Sequence, residues 1–99
     1  MRNTLIVAYD IVDDKRRTKA HKILKGHGDA LQYSVFRCDL SPAERVVMQA
    51  KLWDVLNLKD DRLVVLDLGP QEGRAKLAIE SWGKPLEEPL ATPSGAIIL

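Results

Sequence analysis

Three aspartates near the amino terminus are the residues of this chain best suited to chemistry. Asp10 directly follows five consecutive apolar or aromatic residues, Leu5 to Tyr9, and Asp13 and Asp14 come soon after it. Carboxylates at the end of a buried strand, where the backbone leaves the core and meets water, are well placed to hold a hard cation such as Mg²⁺ through oxygen ligands. The pattern therefore points first to metal-assisted chemistry.

The three aspartates do not have the same local context. Asp is a favoured N-cap and first-turn residue, and a helical pattern begins at Asp13 and Asp14, so we assign these two to the start of a helix. Asp10 lies too early in the chain to cap that helix. An ionised carboxylate beside apolar neighbours needs a cation or an amide donor as its partner, which makes Asp10 the candidate metal ligand and catalytic residue.

Basic residues concentrate directly after these acids. The net charge of the 99-residue chain is only +1, yet residues 15–25 contain six basic and no acidic residues. Such a segment is either an ordinary solvated helix face or a surface that contacts backbone phosphates without reading sequence, and the lack of interleaved acids favours the second. The candidate nucleic-acid-binding residues are Arg16, Arg17, Lys19 and Lys22.

Length and composition exclude several classes of protein. The chain is long enough for one domain, and a domain of this size buries only about 60 to 65% of its unfolded surface, so that oligomerisation would help to stabilise it. One cysteine, Cys38, excludes an internal disulfide and a multi-thiolate metal site, which is typical of the reducing cytoplasm. The longest apolar run has five residues, whereas a membrane span needs about 18 to 20. We therefore predict a cytoplasmic protein without a membrane segment.

The periodicity of the sequence predicts four strands and two helices. Gly26 and Gly28 end the first helix, and a capping box of Ser41, Pro42 and Glu44 opens the second. We assign the elements to an α+β fold, the ferredoxin-like βαββαβ sandwich, with both helices on one face of an antiparallel sheet. The predicted strands cover about residues 4–11, 31–40, 62–68 and 75–82, and the predicted helices cover about residues 14–25 and 42–56.

The predicted fold leaves one face of the sheet and the end of the chain uncovered. The ferredoxin-like domain covers residues 1–83, and residues 84–99 form a proline- and acid-rich connector that ends in an apolar, strand-like tail. That tail would be an aggregation liability in water, and two helices cover only one face of a sheet that is apolar on both. A two-fold homodimer, with sheet packed on sheet and each tail added to the partner's sheet as an extra C-terminal strand, answers both needs.

The dimer also completes the predicted metal site. A single carboxylate binds Mg²⁺ weakly, whereas two Asp10 side chains that face each other across the two-fold axis would make a shared site, with waters and a substrate phosphate as further ligands. An ion held there would lower the pKa of a bound water and polarise the scissile phosphate. The predicted reaction is the hydrolysis of a phosphodiester, with the basic residues of both subunits beside the site.

The remaining ring and thiol side chains are assigned to packing or to the surface. Trp53, on a helical apolar stripe with Val46 and Val47, and Trp82, at the end of a strand, are predicted to pack in the core or the dimer rather than to stack on bases. Cys38 is predicted to be a small core residue. The two histidines share no metal-ligand spacing and are expected at the surface or facing nucleic acid; they are His21 and His27.

Two motifs together resemble a known family. The first is YDI-x-DD-x-RR in residues 9–17, and the second is LQYSVF in residues 31–36 followed by Asp39 and Ser41. This combination resembles the small CRISPR-associated endonucleases that partner the CRISPR integrase in spacer acquisition for antiviral defence. The third strand, DRLVVLDLG, and the apolar tail also fit, so that the resemblance covers nearly the whole chain.

The resemblance implies a role for particular residues of this chain. It implies a ferredoxin-like homodimer that contacts duplex DNA, with Asp10 as the metal-binding acid at the end of the first strand. Ala30 stands where some members carry a basic residue, which weakens the case for strong cleavage of single-stranded RNA. The other positions that match are the aromatic Tyr9, the basic pair Arg16 and Arg17, and the positions near the dimer centre, Ser34 and Phe36.

These features suggest four hypotheses for the function. The first is a Mg²⁺-dependent endonuclease acting on RNA or DNA, and the second is a non-catalytic scaffold that holds double-stranded DNA and bridges the integrase. A metabolite-sensing ferredoxin-like module is a third, but the sequence has no ligand-binding glycine loop. A phospho-receiver domain is a fourth, but that doubly wound fold needs strands and helices in regular alternation.

Overall fold

The computed structural model describes residues 1–84. The elements are β1 (Asn3–Asp10), α1 (Asp14–Lys25), β2 (Asp29–Gln32), β3 (Val35–Leu40), α2 (Pro42–Val55), β4 (Arg62–Pro70) and α3 (Ala75–Ala78). The strands form one antiparallel sheet in the order β2-β3-β1-β4. The predicted α+β class and the βαββαβ arrangement are confirmed. No helix in this part of the chain is both long and apolar enough to cross a membrane.

Strand β1 lies in the middle of the sheet and builds the core. Its alternate residues Leu5, Val7 and Tyr9 face the helices and are buried, as the apolar sequence predicts. Cys38 on neighbouring β3 is fully buried, and this burial raises the pKa of its thiol to about 11. The thiol is therefore a protonated, inert core side chain, as predicted.

Helices α1 and α2 pack on the same face of the sheet. Helix α1 buries Ala20 and Leu24, four residues apart, as its sequence predicts. Helix α2 instead buries Met48 and Leu52, and the predicted stripe through Val46, Val47 and Trp53 is wrong. Trp53 is 60% exposed, so it is not a core residue of this chain. Because apolar residues occur around most of α2, the periodicity of the sequence does not select one face.

The long strand predicted over residues 31–40 is a hairpin. Strand β2 ends at Gln32, the chain turns at Tyr33 and Ser34, and β3 starts at Val35. The Tyr9 amide donates to the Ser34 carbonyl at 3.0 Å, which holds the turn beside the end of β1. The residue types in this run all favour strands, so nothing in composition reveals the break. The hairpin supplies the two consecutive strands that the βαββαβ order requires.

The strand predicted over residues 75–82 is also wrong. After β4 the chain makes local bonds: the Gly73 amide donates to the Pro70 carbonyl at 3.0 Å, and the Leu77 amide donates to the Arg74 carbonyl at 3.0 Å. Helix α3 follows because alanine, lysine and leucine are good helix formers. Leu77 and Trp82 are 85% and 87% exposed, so the alternation of apolar residues here does not reflect burial, and Trp82 is not in the core.

The sheet face away from α1 and α2 is apolar at its centre, as predicted, whereas Arg37 and Asp39 of β3 lie on the same face opposite Ile6 and Thr4. Ala8 of β1 lies between Val35 of β3 and Val64 of β4, and Leu66 lies opposite Ile6. Val64 and Leu66 are 45% and 54% exposed, although both lie inside a strand of the sheet. We call these five apolar residues the open sheet face. The dimer that would cover it stays a prediction, and the tail predicted to join the partner's sheet falls in residues 85–99, outside the described residues.

Replacing Ser41 with alanine tests the predicted helix start. The Glu44 amide donates to Ser41 Oγ at 3.1 Å, and the Ser41 amide donates to Glu44 Oε1 at 2.8 Å, which completes a capping box. Losing the side-chain half of this box leaves an unpaired amide, and we expect Ser41→Ala to lower the free energy of unfolding by about 1 kcal/mol in urea denaturation. Ser81→Ala, at an exposed position outside the helices, is the control. Equal unfolding free energies for the two variants would contradict the assignment.

Candidate active site

Asp10 is the last residue of β1, and its side chain is exposed. Its position in the strand places it on the same side as Ile6 and Ala8, next to the open sheet face. Arg62, the first residue of β4, lies directly opposite it in the sheet register. No hydrogen bond or ion pair within residues 1–84 engages the Asp10 carboxylate. It is therefore an anionic group at the edge of an apolar surface, as the sequence predicts, with its oxygens free to bind a ligand.

A cleft of about 720 Å³ opens beside Asp10. Three parts of the chain form its wall: the end of β1, the first two turns of α1, and the turn between β2 and β3. The candidate residues Tyr9, Asp10 and Arg17 therefore meet Ser34, which is distant from them in sequence, at one place. The lining residues are Tyr9, Asp10, Ile11, Arg17, Thr18, His21, Tyr33 and Ser34.

Arg17 is held at the rim of this cleft with its charge still accessible. Its Nη1 donates to the Ile11 carbonyl at 2.9 Å, and its Nη2 pairs with the Asp14 carboxylate. The side chain remains 45% exposed. These contacts orient the guanidinium without burying it, so that it can still meet an anion in the cleft.

Arg16 has a different environment from its neighbour. Its Nε donates to Asp61 Oδ2 at 2.8 Å and its Nη2 donates to Asp61 Oδ1 at 3.1 Å, a bidentate ion pair. The Asp61 side chain is 0% exposed. The Arg16 guanidinium and the backbone amides of Asn57 and Val12 lower the pKa of the Asp61 carboxyl to about 2. The carboxylate therefore stays ionised at neutral and mildly acidic pH, and the pair persists there.

The lysines of α1 lie outside the cleft. Lys19 and Lys22 are exposed, as are Lys15 and Lys25, and none of the four lines the cleft. We call these four lysines the lysine ridge. Asp13 is the N-cap of α1 and accepts a hydrogen bond from the Arg16 amide at 2.9 Å, which confirms its assignment to the helix start.

Aromatic rings form the floor of the cleft. The Tyr9 ring is buried and stacks on Phe36 with 6.3 Å between ring centroids, and burial raises the pKa of its hydroxyl. That hydroxyl donates to the Tyr33 carbonyl at 3.3 Å and lies 3.4 Å from His21 Nδ1. Phe36 is fully buried, and its ring and the His21 ring are arranged edge to face, with 5.2 Å between their centroids. The structure thus places Phe36 in the core beneath the cleft.

A family model described as CRISPR associated protein Cas2 matches residues 3–74. This chain belongs to the Cas2 family. A protein named CRISPR-associated endoribonuclease Cas2 1, from Rhodospirillum rubrum, is 43% identical over 82 residues, which cover 83% of this chain and 79% of the relative. One named CRISPR-associated endoribonuclease Cas2 3, from Synechocystis, is 36% identical over 94 residues, which cover 95% of this chain and 96% of the relative.

Solved Cas2 structures share the fold described above. Streptococcus pyogenes Cas2 superimposes with a TM-score of 0.69 at 27% identity, covering 81% of this chain and 99% of that one. A hypothetical protein from Thermus thermophilus gives a TM-score of 0.74 at 32% identity, covering 89% of this chain and all of that one. The resemblance inferred from the two motifs is therefore confirmed at the level of family and fold.

Sequence reasoning missed several residues of this Cas2 site. Thr18 and His21 line the cleft from α1, and His21 is half-buried instead of lying at the open surface. Tyr33 falls within the strand predicted over residues 31–40, but it stands in the hairpin turn, 89% exposed at the cleft. The helical period does place Thr18 and His21 on the same face as Arg17, and this signal was available. The sequence contains no comparable signal for Asp61, because its contacts are distant in sequence.

The donor set of this Cas2 chain suits a hard cation only in part. Asp10 offers carboxylate oxygens and Ser34 a hydroxyl at the cleft, and Mg²⁺ prefers such oxygen ligands. Within residues 1–84, no three side chains of His, Cys, Asp or Glu cluster as metal ligands. Because Mg²⁺ takes six ligands and keeps several waters, one carboxylate from each of two copies fits the ion better than one chain alone.

Proposed function

We propose that this Cas2-family protein is a Mg²⁺-dependent endonuclease of CRISPR adaptation, which hydrolyses phosphodiester bonds of RNA or DNA in the cytoplasm. The observation that carries the proposal is the unengaged Asp10 carboxylate at the mouth of a cleft whose rim carries the half-exposed guanidinium of Arg17. The cleft is therefore lined by a carboxylate that can bind a metal and by a guanidinium that can bind a phosphate. The relatives named endoribonucleases support RNA as one substrate.

Each cleft residue has a distinct role in this proposal. Asp10 of two copies binds the metal, which when bound activates a water and neutralises charge on the scissile phosphate. Arg17 binds a phosphate oxygen and fixes the position of the nucleic-acid strand. Tyr33, exposed at the turn, offers its ring to a neighbouring unstacked base. The Ser34 hydroxyl can donate to the sugar–phosphate backbone.

The proposed active unit is a homodimer. The open sheet face is apolar and lies on the same side as Asp10, so packing two such faces together buries Val64 and Leu66 and brings the two Asp10 residues toward the axis. Each copy contributes one carboxylate to a metal that a single chain holds weakly. The metal site and the dimer are therefore one proposal.

A cleavage assay tests this function. End-labelled single-stranded RNA and duplex DNA are incubated with the protein in Mg²⁺ and in EDTA, and the mass in solution is measured by light scattering on the same preparation. We expect cleavage in Mg²⁺ and no cleavage in EDTA. We also expect a mass of twice the 11.1 kDa of one chain. Cleavage that survives the chelator, or an active protein with the mass of one chain, contradicts the shared metal site.

A scaffold for the CRISPR integrase is the second candidate function. It is favoured by the lysine ridge, which lies outside the cleft and offers a second surface for backbone phosphates. In this role the two copies hold double-stranded DNA across both ridges, and the integrase binds the sheet edges and the tails. Integration that proceeds with a cleavage-dead protein, and fails without the ridge, supports this candidate over the enzyme.

The salt dependence of DNA binding distinguishes the ridge from Arg16. We expect Lys19→Ala with Lys22→Ala to weaken duplex binding and to reduce the slope of log affinity against log salt by about 0.9 for each phosphate that the protein no longer neutralises. Arg16→Met should change the slope less, because Asp61 already engages its guanidinium. Fluorescence anisotropy over a salt series measures the slopes, with Lys51→Ala and Lys59→Ala as controls of equal charge. If the salt slopes of the ridge variant equal those of the controls, the lysine ridge is not part of the DNA-binding surface.

A further inference from the structure

Asp61 gathers hydrogen bonds from three separate parts of the chain. Its Oδ2 accepts from the Asn57 amide at 2.9 Å, after the end of α2, and from Arg16 Nε. Its Oδ1 accepts from Arg16 Nη2 in the first turn of α1, and from the Val12 amide at 3.4 Å, in the loop after β1. One carboxylate therefore ties the loop after Asp10, the helix after that loop, and the connection into β4.

This arrangement is fixed in a way that few surface ion pairs are. The Asp61 side chain is 0% exposed, so water competes little for its carboxylate, and the Arg16 side chain is 28% exposed. The bidentate geometry of a guanidinium on a carboxylate restricts both distance and angle, and a lysine cannot reproduce it. Val12 and Asp61 are 49 residues apart in sequence, so the contact is a tertiary one.

The residues held by Asp61 are the immediate neighbours of the cleft residues. Val12 stands two positions after Asp10, and Arg16 stands next to Arg17. Arg17 in turn donates to the Ile11 carbonyl, so that the loop between β1 and α1 is held from both sides. On the other strand, Arg62 follows Asp61 directly and lies opposite Asp10. A shift of this loop would move the metal-binding acid and the phosphate-binding arginine together.

We propose that Asp61 is a positioning residue of the active site: through Arg16 and the Val12 amide it fixes the loop after β1 and so sets the direction of the Asp10 carboxylate. The proposal rests on the proposed nuclease function for its effect on rate. Misplacement of a reacting group by about 1 Å costs about 10²-fold in rate, so a loop that is only loosely held affects catalysis before it affects the fold. Asp61 itself does not line the cleft.

The test compares Asp61→Asn with Asp60→Asn, the same change at the adjacent residue. Asp60 is exposed and accepts a hydrogen bond from the Asn57 side chain at 3.2 Å, and its side chain makes no hydrogen bond to the loop after β1. Both variants are studied at a temperature at which circular dichroism shows them folded. The readouts are kcat and KM for cleavage, the hydrogen-exchange rate of the Val12 amide, and the Asp10 χ1 rotamer from three-bond couplings in NMR.

We expect Asp61→Asn to lower kcat at least about tenfold with KM within about twofold, because binding through the ridge and Arg17 is retained while the geometry of Asp10 is lost. The Val12 amide should exchange faster and the Asp10 rotamer should become averaged. Asp61→Glu, which restores the charge, should recover part of kcat. Asp60→Asn should leave every one of these quantities at its wild-type value.

Two outcomes overturn the proposal. In an active enzyme, a kcat for folded Asp61→Asn equal to that of Asp60→Asn reduces Asp61 to a purely structural residue. An Asp10 rotamer that is the same in both variants does so whether or not the protein cleaves. If the wild-type protein cleaves no substrate, the proposed nuclease function fails, and the Asp10 rotamer alone decides the role of Asp61.

Discussion

Replacing Asp10 with asparagine is expected to lower Mg²⁺-dependent cleavage by about 10³-fold or more, with the fold intact. The substitution keeps the shape of the side chain and removes the charge that binds the ion, and a metal contributes several kcal/mol to stabilising a phosphoryl transition state. The stability should not change, since Asp10 is exposed and its carboxylate makes no hydrogen bond within residues 1–84. Single-turnover cleavage and thermal denaturation measure the two quantities.

The control for this variant is Asp54→Asn, which removes one exposed charge from α2, away from the cleft. It should cleave at the wild-type rate. Duplex binding should be similar in both variants, because the lysine ridge is intact. An Asp10→Asn protein that cleaves as fast as the control would show that the activity lies elsewhere or comes from a contaminant, and attention would pass to the scaffold role.

Gly28→Ala is expected to destabilise the fold strongly, because residue 28 has no room for a side chain. A β-carbon at this position would overlap the Arg37 carbonyl oxygen and would lie 2.6 Å from Cys38 Sγ and 2.9 Å from Cys38 Cα. These atoms belong to a central part of the sheet, where the backbone of β3 is fixed by pairing on both sides. We expect a loss of about 3 kcal/mol in the free energy of unfolding.

Gly26→Ala is the matched control for this prediction. A β-carbon there has its nearest neighbour at 3.4 Å, the Ile23 carbonyl oxygen, and the backbone is helical with φ of −76°. Alanine should leave stability unchanged or raise it by up to about 1 kcal/mol, since it restricts the unfolded chain. Urea denaturation of both variants decides the matter. Similar unfolding free energies would mean that β3 can move away from residue 28.

The sequence predicts the features that local patterns determine. The buried strand that ends at Asp10, the cap at Asp13 and the capping box at Ser41 each depend on residues within a few positions of one another, and each is found in the structure. Local patterns fail where two structures suit the same residues. The turn at Tyr33 interrupts a run that favours strands throughout, and α3 forms where alternation predicted a strand.

The site shows the same limit. Asp10 and Arg17 are close in sequence, and a strand that leads into a helix brings both to the cleft. The partner of Arg16 is 45 residues away, so the basic pair of the motif looks uniform in the sequence although Arg16 is ion-paired with Asp61 and Arg17 faces the cleft. Tertiary distances of this kind cannot be read from spacing, because they depend on which strands become neighbours.

The central position of β1 has a consequence for the order in which the protein becomes active during synthesis. Of the strands in residues 1–84, β1 leaves the ribosome first, but it pairs with β3 and with β4, which emerges last. Such non-local pairing must wait until the late residues have emerged, and it slows folding. The surroundings of Asp10, including Arg62 and the Asp61 contacts, are therefore assembled only when β4 is available. A nascent or truncated chain carries the acid and the lysine ridge but lacks the ordered surroundings of Asp10.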